Sequence, residues 1–372
     1  MHVQSIRLKY FKRFRDKSLD FSDPETGAPR PLVVLVGENG SGKSTVLQAI
    51  AATLGTATRR LHRPADLEWP GFDLALAGNS WNLPYEVILD VRFTDAELQA
   101  TLDCFARVPG LQDRPDVTPP SSVPLTRLFL RESAVHAISS EQYFQFRGRE
   151  YAKQVVKLVE EGHRVFQKVG TVFWYTEHRT STSLTAEAVP AAERDEGNGN
   201  AEAKSDAYLR FDENLLRRRL ADLMQFHARV DRGEYRLRPG QRDLFADLER
   251  AYLNVFPNRR FEGSVPRTDV DEVLSEPWFF LYDGHHQYEV CEMSGGERAI
   301  FPIVFDFANW HIHNSVVLID EIELHLHPPL QQALIRALPR LGTGNQFIIA
   351  THSDWVADNV PADCVLRMEG AQ

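Results

Sequence analysis

Residues 33–45 read VVLVGENGSGKST. Residues 32–36 are apolar without a break and end at a glycine, the pattern of a strand buried on both faces. The next residues fit G-x-x-x-x-G-K-[ST], and SGKSTVLQAIAATLG has helical spacing with Gly55 as its C-terminal stop. A glycine-rich turn between a strand and a helix lets backbone N–H groups face phosphate oxygens, and the helix N-terminus favours the anion. The cradle comprises Gly37, Glu38, Asn39, Gly40, Ser41, Gly42, Lys43, Ser44 and Thr45. Within it Lys43 is placed to reach the β- and γ-phosphates of a nucleotide, and Ser44 to hold Mg²⁺ through its hydroxyl.

Three further stretches belong with this one. VVLIDE at 316–321 is a second apolar strand, and it ends in two carboxylates. Asp320 suits the magnesium, through its water shell, and Glu321 suits the attacking water. MSGGER at 293–298 puts Ser294, Gly295, Gly296 and Glu297 at the head of an apolar helix, a second anion-binding helix start. Ser294 and Glu297 also fit an ordinary capping box. ATHS at 350–353 ends the last strand, where His352 is placed to sense a γ-phosphate. Two separate cradles in one chain suggest that the second serves a nucleotide held by another copy.

The net charge of −10 over 372 residues excludes a general polyanion binder, so any nucleic-acid contact must come from local basic patches. Cys104, Cys291 and Cys364 form no disulfide framework or zinc pattern and fit a reducing cytoplasm. No signal peptide and no membrane span are expected. Along the chain, 3–22 read as two strands around a turn, 86–93 and 171–176 as strands, and 95–108 as a helix. Residues 141–169 and 212–256 read as helical, 185–206 as a mobile loop, and 277–282 with 287–293 as a hairpin around Asp-Gly.

The four motifs, in this order, resemble the ATP-binding-cassette type of AAA-family ATPase, and more narrowly the RecF/SMC-like and OLD-like group. IRLKYFKRF before the cradle, MSGGER, and IDEIELHLHP after the catalytic strand carry that resemblance. It covers 1–55 and 285–368. It implies an α/β P-loop head with a mixed sheet, N-terminal antiparallel strands and a largely helical insertion. The implied division is a split ATPase core, 1–55 and 285–372, around an insertion at 56–284. It also implies ATP and Mg²⁺, with Lys43, Glu321 and His352 as catalytic residues. The resembled heads work as a head-to-tail homodimer, each ATP capped by the partner's Ser294, Gly295 and Gly296.

His325 and His327 then read as interface and packing residues rather than zinc ligands. His311 with His313, and the hairpin-turn pair His285 and His286, likewise read as non-ligands. No residue clearly matches the group's magnesium-linking glutamine; Gln142 and Gln145 fall in the right region, and Arg179 is a candidate near the nucleotide. Neither the long coiled coil nor the C-terminal nuclease domain of the resembled group's larger members is expected, so a separate effector protein is expected. Two roles follow: the ATPase subunit of a bacterial anti-phage or toxin-type module, or a RecF-like repair ATPase that binds DNA. The second draws on Arg7, Lys9, Lys12, Arg13, Arg15 and Lys17 and on RRLHR at 59–63.

Overall fold

The structure is a computed structural model describing residues 1–78, 84–111, 117–160, 162–177, 213–238, 240–267 and 277–369. It contains two compact units. The first comprises Met1–Thr176, Arg236–Arg242 and Trp310–Gln372; the second comprises Glu177–Tyr235 and Asp243–Asn309. The expected loop at 185–206 and Arg179 lie outside the described residues.

The first unit holds two five-stranded sheets. One is parallel: β3 (Leu32–Val36), β7 (Val172–Tyr175), β11 (Val316–Ile319), β12 (Gln346–Thr351) and β13 (Val365–Arg367), in the order β13-β3-β12-β11-β7. The other is antiparallel, in the order β2-β1-β4-β5-β6. Its strands are β1 (His2–Phe11), β2 (Phe14–Asp20), β4 (Glu86–Arg92), β5 (Leu125–Arg131) and β6 (Ala134–Ala137). Helix α1 (Lys43–Ala57) is buried nearly all round, as a helix packed by strands of both sheets must be. Val46, Leu47 and Ile50 share one core with Leu8, Val87 and Leu128 of the antiparallel sheet and with Leu35, Leu318 and Ile348 of the parallel one.

Gly55 does not stop α1. The helix continues to Ala57, and a Cβ at Gly55 would stand 2.8 Å from Leu61 Cδ1. The glycine instead admits the returning chain, whose Arg60 and Leu61 N–H groups both donate to its carbonyl. Helix α2 (Asp95–Arg107) follows β4, and Thr94 caps it. The stretch expected to be helical at 141–169 is broken into α3 (Ser140–Phe144), α4 (Gly148–Val155) and a 3₁₀ segment. Compactness divides the chain at other points than the motifs do. Strands β4, β5 and β6 complete the sheet begun by β1 and β2, and β7 flanks β11, so residues 86–175 of the expected insertion belong to the first unit.

The outer face of the antiparallel sheet is laced with ion pairs. Arg7 meets Asp16 at 2.5 Å, Lys9 meets Glu86 at 2.9 Å and Arg127 meets Asp90 at 2.6 Å. Lys12 donates to Gln48 Oε1 at 2.7 Å and to the Gly71 carbonyl at 2.8 Å. Three of the six N-terminal cations are therefore engaged within the fold.

In the second unit, the helical reading of 212–256 takes the form of two helices, α5 (Glu213–Asp231) and α6 (Leu244–Val255). They accompany a sheet ordered β10-β9-β8, formed by β8 (Arg260–Val265), β9 (Trp278–Tyr282) and β10 (Gln287–Glu289). Asp283 holds the β9–β10 turn by accepting the N–H groups of His285 and His286 at 2.8 and 2.7 Å. The long helix α7 (Gly295–Trp310) begins in this unit, and its Phe301 packs on Tyr252.

Glu289 and Arg217 form a buried two-pronged pair at 2.8 and 3.0 Å. Burial alone would raise the Glu289 carboxyl, but hydrogen bonds from Arg217 and from the Cys291 and Phe279 N–H groups outweigh it and hold it at about 2. A depressed carboxyl stabilises the fold above its unfolded value, and that contribution is lost as pH falls through the folded one. Arg217→Met strands a buried charge and is expected to lower stability by about 3–5 kcal/mol at pH 7. The gap from the parent protein should narrow as pH falls from 4.5 toward 2. Urea unfolding read by tryptophan fluorescence checks this, since Trp278 lies 5.0 Å from the Arg217 guanidinium.

Candidate functional site

Strands β3, β12 and β11 are neighbours and parallel, so their carboxyl ends open onto one edge, where ligands bind to such sheets. The loop after β3 carries Gly40 and Gly42 at φ 74 and 95, values that favour glycine. Space also demands glycine here: a Cβ on Gly42 would stand 2.3 Å from the Phe14 ring, and one on Gly37 would stand 2.3 Å from the Met368 carbonyl. Glu38 and Asn39 are exposed at the tip of the loop, Ser41 is buried beneath it, and Thr45 lies in the first turn of α1.

Lys43 donates to the carbonyls of Gly37 and Glu38 at 2.7 and 3.0 Å. Burial lowers its pKa, against the pull of Asp320, Glu323 and Glu321. Ser44 Oγ donates to Asp320 Oδ1 at 3.1 Å, and the Asp320 N–H donates to the Tyr175 carbonyl at 2.8 Å. His352 stands between Lys43, 3.0 Å from its Nδ1, and Glu321, 3.2 Å from its Nε2. An ammonium only donates, so Nδ1 is the acceptor and Nε2 carries the proton toward Glu321. Glu321 itself has φ 45. Lys43, Ser44, Asp320, Glu321 and His352 are thus brought together. Sequence reading missed Glu323, which accepts the His352 N–H at 2.5 Å and the Thr351 hydroxyl at 2.7 Å. Its place two residues after Glu321 was the available signal.

Ser294 to Glu297 lie in the second unit. The capping box forms: Ser294 N–H and Oγ each reach Glu297 Oε2 at 2.9 Å, and the Glu297 N–H donates to Ser294 Oγ at 3.3 Å. Glu297 is 2% exposed, and its other oxygen takes Tyr252 at 3.0 Å, Tyr288 and Arg259. Its contacts are made inside the fold, so it shapes the turn, which departs from the expectation that Glu297 itself meets the nucleotide. Gly295 is exposed, and a Cβ there would meet nothing within 4 Å.

Gln145, His311 and His313 have structural partners. Gln145 is buried and donates to Thr126 Oγ1 at 2.7 Å and to the Val123 carbonyl at 3.1 Å, while Gln142 lies in α3. His311 stacks on His163 with centroids 5.6 Å apart and accepts from Arg242 at 2.8 Å. His313 Nδ1 lies 2.8 Å from Thr343 Oγ1. His325 has φ 64 in the loop after β11, and His327 is the N-cap residue of α8 (Pro328–Ala337).

A glycine-lined loop beside a helix start, an ammonium held by carbonyls, and a hydroxyl touching a carboxylate suit the phosphates of a nucleotide. Ser44 and Asp320 offer hard oxygen donors, which fit Mg²⁺. Fold and site together define an α/β P-loop ATPase head. The profile of the family described as "AAA domain, putative AbiEii toxin, Type IV TA system" matches residues 118–358, well over half of the chain, so the chain belongs to that family. A second AAA-domain profile matches residues 5–102.

Protein ea59 of Escherichia phage lambda is 34% identical over 126 residues, which is 33% of this chain and 23% of that protein. The retron Ec83 probable ATPase of Escherichia coli is 33% identical over 94 residues, 22% of this chain and 17% of that one. The replication and repair protein RecF of Cyanothece sp. is 34% identical over 71 residues, 19% and 17% of the two chains. The matches thus span less than a quarter of each relative's length. A solved SMC head, bound to the C-terminal winged-helix domain of ScpA, aligns over 97% of this chain and 92% of its own with a TM-score of 0.50 at 14% identity, a likeness of fold.

Gly42→Ala must fit a Cβ against Phe14 at a positive φ. It is expected to lose about 1–3 kcal/mol of stability from backbone strain and to lose detectable binding of a fluorescent ATP analogue. Thermal melting and fluorescence anisotropy check the two effects.

Proposed function

We propose that this chain binds MgATP and hydrolyses it to ADP and phosphate, working as a head-to-tail homodimer. The observation that carries the reading is His352 standing within hydrogen-bond distance of both Lys43 and Glu321, while Ser44 touches Asp320. Lys43 exchanges its hold on the Gly37 and Glu38 carbonyls for phosphate oxygens. Ser44 and Asp320 would hold Mg²⁺, which would offset phosphate charge when bound. Glu321 takes a proton from the attacking water, and His352 meets the γ-phosphate. In the partner, Ser294 and Gly295 present the helix start of α7, and the open space at Gly295 leaves room for a phosphate to approach. Hydrolysis splits the shared charge between ADP and phosphate and weakens the joint, so ATP sets the population of closed dimers.

The biological role favoured is the ATPase subunit of a bacterial anti-phage or toxin-type module, acting with a separate effector protein. The family's description and the retron ATPase relatives support it. A RecF-like role on DNA draws support from the RecF relatives, but Arg7, Lys9 and Lys12 are engaged within the fold. Among the described residues no helix is long and apolar enough to cross a membrane.

Glu321→Gln is expected to retain ATP, to slow hydrolysis by roughly 10²-fold or more, and to sediment as a dimer only with MgATP. A monomer with ATP bound would sink the dimer reading. Wild-type hydrolysis indifferent to added DNA between 50 and 200 mM salt is the outcome expected of the defence role. Stimulation with a steep salt slope would instead favour the repair role.

A further inference from the structure

Glu321 and Glu323 lie two residues apart, yet they are engaged differently. Glu321 Oε1 lies 3.2 Å from the side-chain Nε2 of His352. Glu323 spends both oxygens on the end of β12: Oε1 accepts the His352 backbone N–H at 2.5 Å and Oε2 accepts the Thr351 hydroxyl at 2.7 Å. A carboxylate so occupied is poorly placed to take a proton from water, so it is not a second base. What it does is tie two consecutive residues of one strand end to the loop after another.

The tie is reinforced on both sides. Thr351 Oγ1 also accepts the Ser353 N–H at 3.0 Å, and Ser353 in turn caps α9 (Asp354–Asp358) through the Val356 N–H at 3.3 Å. On the other strand, the Ile322 N–H donates to the Ala350 carbonyl at 3.3 Å and the Leu324 N–H to the Glu321 carbonyl at 3.0 Å. Glu321 lies between these bonds at φ 45, a conformation that a residue with a side chain keeps only where its surroundings over-determine it.

We infer that Glu323 is a positioning residue: it clamps the backbone at Thr351 and His352 to the loop after β11, so that the His352 imidazole and the Glu321 carboxylate keep one mutual geometry. The inference rests on the hydrolytic role proposed above for His352. Glu321 and His352 then move as one body, and any displacement of the imidazole by a γ-phosphate is felt directly at the base.

The test uses the full chain with Glu323→Ala, Glu323→Gln, His352→Ala and the Glu323→Ala/His352→Ala double variant. It reads ATP turnover, ATP affinity, and amide hydrogen exchange in peptides covering 346–353. A residue acting through His352 should show strong non-additivity. Glu323→Ala is expected to lower kcat on the order of tenfold alone but less than about twofold on the His352→Ala background. Its ATP affinity should stay within about twofold of the parent, as for a change felt mainly in the reacting complex. Exchange at the β12 end should quicken in Glu323→Ala. Glu323→Gln keeps the side-chain shape and one carbonyl acceptor, so it should fall between, and it carries the same comparison should the alanine variant fail to fold.

Full multiplication of the two effects, or unchanged turnover and exchange in the Glu323 variants, overturns the inference. Should His352→Ala alone leave turnover intact, the hydrolytic role of His352 fails. The exchange then still decides the clamp: unchanged protection overturns it and quickened exchange upholds it.

Discussion

Everything at the candidate site depends on three parallel strands ending together. β12 pairs with β3 on one side and β11 on the other, so the loop after β3, His352 and Asp320 emerge side by side. Parallel pairing fixes this because every strand carries its functional residue at the same, carboxyl-terminal end. The strands hold register through buried aliphatic faces: Val33, Leu35, Leu318, Ile348 and Ala350 share the core around α1. A slip of one residue would turn every one of those side chains to the opposite face. The chemistry is therefore placed by hydrophobic packing some distance beneath it.

Acidic side chains serve a second purpose throughout the molecule. Glu289, Glu297 and Glu323 each accept several hydrogen bonds from backbone N–H groups, hydroxyls or arginines, and each pins a loop next to a residue of functional interest. Charge-assisted bonds to carboxylates are stronger than neutral ones, which suits them to hold turns that lack ladder partners. Reading charge as chemistry alone would overcount the reactive carboxylates of this chain. Donors crowd these three carboxylates because each one shapes the backbone around it.

How far the sequence led follows the same physics. β3, β11 and β12 were legible because a strand buried on both faces is apolar throughout, and the glycine-rich loop because its spacing has few other uses. β5 and β6 escaped notice: Thr126, Leu128 and Leu130 face inward, but Arg127 and Arg131 dilute the alternation. β8 buries only Phe261 and is broken at Gly263, so it carries almost no periodic signal. Gly55 looked like a helix stop because glycine often is one, whereas here close packing on Leu61 demanded it. The role of Glu323 was invisible because it depends on where β12 ends relative to β11, which no local pattern encodes.

The glycines of the two cradles differ in what the fold asks of them. Gly37 and Gly42 have no room for a side chain, so folding alone retains them. Gly295 has room, sits in the first turn of α7 and has no positive φ. Inside a helix alanine is favoured over glycine by up to about 1 kcal/mol, and at a helix start the fold asks for neither. On the proposed mechanism, a protein selected only for endurance would tolerate alanine at 295, whereas one selected for work would keep the space beside the phosphate open. On the proposed dimer mechanism, this position is one where robustness and activity pull in opposite directions.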